Sequence, residues 1–100
     1  MGEIKMEIKE IQTRIEKISR KTLPKGEFVK VRVKEYEDRE GEEVLDVVII
    51  LEGKRKFDAK KSIKLSRLVR DELVESDEER FPMFQFVIKE EAGELGIAIP

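Results

Sequence analysis

Val44-Leu45-Asp46-Val47-Val48-Ile49-Ile50-Leu51 is the only long apolar run in the chain. It is rich in β-branched residues, and a charged, Gly-containing turn bounds each end. A run of this length and composition reads as a central strand covered on both faces. Asp46 is its one interruption.

The segments on either side arrange themselves around that strand. Residues 27–37 alternate, with Val29, Val31 and Val33 pointing one way and Lys30, Arg32 and Lys34 the other, together with Phe28 and Tyr36. Residues 37–42 are polar and contain Gly41, the chemistry of a hairpin loop, so the two strands are expected to pair antiparallel. Pro82 opens a third strand over 83–89, with Phe84, Phe86 and Ile88 on one face and Met83, Gln85, Val87 and Lys89 on the other. The stretch 76–80 before it reads as a solvated loop.

Two helices complete the pattern. Ile4, Ile8, Ile11, Ile15 and Ile18 recur with spacing 4-3-4-3, which predicts a helix over 3–21. Its Ile stripe suits either a sheet or a second copy of the same helix. Leu23-Pro24-Lys25-Gly26 ends it. A second helix is predicted over 59–75, capped by Asp58, with Leu65, Leu68, Val69 and Leu73 on one face and Ile63 at its edge. Its charges run against the helix dipole: Lys60, Lys61 and Lys64 crowd the start, and Asp71, Glu72 and Glu75 the end.

The expected fold is an α+β two-layer sandwich of order α-β-β-α-β. A three-stranded mixed sheet carries both helices on one face. Residues 1–100 make one domain, with 1–2 and 95–100 loose or, for the latter, a short edge strand.

Composition narrows the function classes. The 100 residues are 44% charged with a net charge of −2, and neither His nor Cys occurs. The commonest general base and the commonest strong nucleophile are therefore missing, as are thiolate and imidazole metal ligands. Serines lack a surrounding motif and glycines are isolated, so a catalytic role and a cofactor are not expected. The carboxylates of 35–43 lack the ordered spacing of a calcium loop. With no Asn, two Gln and many Glu, Lys and Arg, the composition matches that of thermophile proteins. Without a signal peptide or an 18-residue apolar span, the expected place is the cytoplasm, away from membranes.

Two surfaces carry the functional expectation. The central strand is apolar on both faces, and the helices cover only one. The other face, with Lys30, Arg32, Asp46, Val48, Ile50, Gln85 and Val87, is expected to meet a second copy of the chain or another protein, unless the tail from 95 folds over it. The alternative is an anion or nucleic-acid site at Lys54, Arg55, Lys56, Lys60, Lys61, Lys64 and Arg67. Asp46 is expected to turn away from the helices and pair with Lys30, Arg32 or Lys34.

The element order, together with Val31-Arg32-Val33, Gly41, Leu45-Asp46-Val47-Val48-Ile49 and Arg80-Phe81-Pro82, resembles the cytoplasmic dimerisation domain of cation diffusion facilitator transporters over about residues 4–91. That resemblance implies the fold and a two-fold dimer. The family's metal-binding histidines fall at about Val48 and Val87 here, so it does not imply zinc binding.

Overall fold

The computed structural model, which describes residues 6–53, 58–94 and 96, makes the apolar run the middle strand of a three-stranded sheet. Strand β2 (Glu43–Leu51) pairs antiparallel with β1 (Phe28–Glu37) and parallel with β3 (Phe81–Ile88). Period-two alternation then sorts its side chains. Leu45, Val47, Ile49 and Leu51 join Val31 and Val33 in the main core, where helix α1 (Ile8–Thr22) contributes Ile11 and Ile15 and helix α2 (Ala59–Glu75) contributes Leu65, Val69 and Leu73. The predicted α-β-β-α-β order and mixed sheet are present. Among the described residues, no helix is long and apolar enough to cross a membrane.

Local chemistry sets the element ends. Asp58 caps α2, its carboxylate accepting a hydrogen bond from the Lys60 N–H at 2.8 Å. In the β1–β2 loop, the Asp38 carboxylate accepts from the N–H groups of Glu40 and Glu42, and Gly41 takes the positive φ that the turn requires. Gln12 on α1 accepts a hydrogen bond from the Val33 N–H at 2.9 Å, tying the first helix to the strand beneath it.

Four expectations change. Phe28 packs on the main core rather than the opposite face, because a bulge between Phe28 and Lys30 shifts the register by one residue. The third strand starts at Phe81, and the chain leaves it at Lys89 into a short third helix, α3 (Lys89–Glu94). That segment is polar and holds one apolar residue, Ala92, so periodicity does not reveal it; packing holds it. The first helix starts at Ile8, and residues 1–5, with Ile4, lie outside the described part, as do 95 and 97–100.

The fourth change concerns 76–80, which is not a solvated loop throughout. Glu78 and Arg80 are buried. Helix α2 closes in a Schellman motif, with Glu78 N–H donating to Leu73 C=O at 2.9 Å and Asp77 N–H to Val74 C=O at 3.1 Å. Asp77 sits at φ 60° in this turn, which aims Glu78 inward. Glycine adopts that conformation without a Cβ penalty. Asp77→Gly is therefore expected to raise stability by about 0.5–1 kcal/mol in urea unfolding; a loss instead would show that the Asp side chain itself holds the turn.

Candidate interaction surfaces

On the face turned from α1 and α2, strand register builds four rows. Tyr36, Val44 and Phe81 form one, then Lys34, Asp46 and Met83, then Arg32, Val48 and Gln85, then Lys30, Ile50 and Val87. The expected partner face is therefore brought together, but half of it is not surface. Val48, Ile50 and Val87 are buried in a second cluster with Ala92 of α3. Lys30 and Arg32 are half-buried, and Gln85 is exposed.

Asp46 lies on this face, as its alternation requires, with its Oδ2 3.8 Å from an Arg32 guanidinium nitrogen and its side chain 40% exposed. This is a rim ion pair. Exposed pairs contribute about 0.2–1 kcal/mol, so Asp46→Ala is expected to stay below about 1 kcal/mol in urea unfolding. A larger loss would show that Asp46 also answers a buried donor. The Arg32 Nε, buried without a hydrogen-bond acceptor, is the nearest such donor on the paired side chain.

Beyond α3 the same face is open. Tyr36, Phe81 and Met83 are each more than half exposed, and they surround Val44. Phe81 stands at the sheet edge with the Arg70 guanidinium 5.1 Å from its ring centroid. Met83 lies on the face that alternation gives it, and Phe81, which falls outside the strand expected from the sequence, shares that face once alternation is carried back through Pro82.

The second surface is the outer side of α2. Lys60, Lys64, Arg67, Asp71 and Glu75 are exposed, and no ion pair joins their side chains to other described residues. Lys61 differs, reaching Glu27 at 3.8 Å. Lys54, Arg55 and Lys56 lie outside the described residues. Ile63, Leu68 and Val74 flank the charged stripe as exposed apolar side chains.

A third feature is structural. Arg80 donates from Nε and Nη2 to both carboxylate oxygens of Glu78, at 3.0 and 2.8 Å, and also to Glu35 and to the Met6 carbonyl. Burial pushes the Glu78 carboxyl upward, but the hydrogen bonds and charge of Arg80 outweigh it and hold the pKa below the ordinary value. Hydrogen bonding to Glu78 raises that of Arg80. Among the described residues, no group of three or more Asp and Glu side chains is placed to hold a metal ion.

No family model, characterised protein or solved structure matches this chain.

Proposed function

We propose that this protein is a non-enzymatic interaction module that works as a homodimer. The observation that carries the reading is the placement of its exposed large apolar side chains. Tyr36, Phe81 and Met83 form a patch on the open half of the sheet, and on α2 Ile63 and Val74 line one flank of the charged stripe and Leu68 the other. In a chain this rich in charge, contiguous apolar residues at the surface mark contact with another protein. The likeness to a two-fold dimerisation domain supports the same reading. Lys34, Arg32 and Asp46 border the sheet patch and supply polar rim groups of both signs. Sedimentation velocity at micromolar concentration is expected to give twice the chain mass, and a monomer at every accessible concentration would defeat the proposal.

A second reading places nucleic acid or another polyanion on Lys60, Lys64 and Arg67, which carry no ion pair with described residues. The same helix stripe turns acidic at Asp71, so among the described residues its basic part is about 10 Å long at 1.5 Å per residue. This disfavours a phosphate backbone. A titration with mixed oligonucleotides at low salt tests it, and binding that Lys60→Glu with Lys64→Glu abolishes would favour it.

A further inference from the structure

We propose that the homodimer is made by α2 lying antiparallel against α2 of a second copy; this rests on the homodimer reading above. Lys60, Lys64, Arg67, Asp71 and Glu75 follow at spacings 4-3-4-4, so they form one stripe along the helix. All five are exposed, on the side opposite buried Leu65, Val69 and Leu73. The stripe is basic in its first half and acidic in its second. That polarity opposes the helix dipole and gains no described ion pair within the chain.

A two-fold axis between positions 67 and 68 turns this arrangement into a complementary one. It sets Lys60 opposite Glu75 of the copy and Lys64 opposite Asp71, and repeats both pairs by symmetry. Antiparallel helices bring like flanks together. Ile63 and Val74 share one flank, at 59% and 66% exposure, and meet each other across the axis to within two residues' rise, about 3 Å. Leu68 lies on the other flank near the axis and meets its own copy. Arg67 approaches Arg67 of the copy, with Asp71 one turn along each helix to offset the like charges. A polyanion would be repelled by the acidic half, and a uniformly charged protein partner would match only one half. A second copy matches both.

The test uses two charge-reversed forms of the full chain, K60E/K64E and D71K/E75K. Each corrects the charge at one end of α2 relative to its dipole, so each is expected to fold at least as stably as the parent by circular dichroism and urea unfolding. Each alone is expected to weaken dimerisation by roughly a hundredfold, because like charges then face each other. Mixed in equal amounts, the two variants, one acidic and the other basic at positions 60, 64, 71 and 75, are expected to restore a heterodimer, seen by sedimentation. Dimers unchanged in both variants, or a mixture that stays monomeric, would overturn the α2 interface. If F81E/M83E dissociates the dimer while the α2 variants do not, the interface is the sheet patch and the homodimer reading stands without this one. A monomeric parent chain overturns both.

Discussion

Arg80→Ala is expected to destabilise the protein by about 3–5 kcal/mol, the loss typical of removing one partner from a buried ion pair. The Arg80 side chain is 4% exposed and that of Glu78 1%. Among the described residues, removing the guanidinium leaves a buried carboxylate with the N–H groups of residues 80 and 6 as its donors, at 2.9 and 3.3 Å. It also frees the Met6 carbonyl and Glu35, so the entry to α1, the edge strand β1 and the start of β3 lose a common tie. Urea unfolding measures the loss. The double variant Glu78→Gln with Arg80→Met should lose less than Arg80→Ala alone, because it leaves no buried charge unpaired. A loss below about 1 kcal/mol for Arg80→Ala would show that water reaches the pair and screens it.

The same pair sets a pH dependence. The folded-state pKa of Glu78 lies below its ordinary 4.5, so folding favours its ionised form. The stabilisation is complete above pH 4.5 and is lost as pH falls through the lower folded value. Stability followed by urea unfolding should therefore decline on acidification below pH 4.5, and Glu78→Gln should flatten that limb. Arg80 remains protonated across this window, since its own pKa is raised.

What could be read from the sequence was what local pattern determines. The limits of α2, its Asp58 cap, the central strand and the outward turn of Asp46 all follow from period and capping chemistry within a few residues. What could not be read depends on partners far away in the chain. The face of Phe28 is set by a one-residue bulge against β2, which alternation cannot anticipate. Glu78 and Arg80 look like surface charges until each is seen to continue the inward series of Pro82, Phe84 and Phe86. Their pairing is what makes that series tolerable for charged groups. Helix α3 carries a single apolar side chain and a glycine, so its existence is a consequence of the sheet beneath it. For the surfaces, the reversed polarity of α2 was legible as sequence, but that Lys60, Lys64, Arg67, Asp71 and Glu75 form no ion pair with described residues, while Lys61 and Glu72 do, was not. The apolar second face of β2 was legible too; that α3 covers half of it was not.

That cover leads to the other large effect. Ala92 is fully buried in a cluster with Val48, Ile50 and Val87. Ala92→Lys brings a long cation into that cluster, and the adjoining positions on β1 are Arg32 and Lys30, which repel it. The less costly response is for α3 to leave the sheet. Re-exposing roughly 100 Å² of apolar surface is worth about 2.5 kcal/mol, so the expected loss in urea unfolding is about 2–3 kcal/mol. The main core is on the other face of the sheet and should persist, with amide exchange in β2 still slow at Val47 and Ile49. Once α3 is gone, Val48, Ile50 and Val87 are exposed on the same face as Tyr36, Phe81 and Met83, enlarging its apolar surface. Binding of a hydrophobic dye should rise, and sedimentation should show association beyond that of the parent. If Ala92→Lys leaves stability, dye binding and mass unchanged, α3 is not what keeps this face dry.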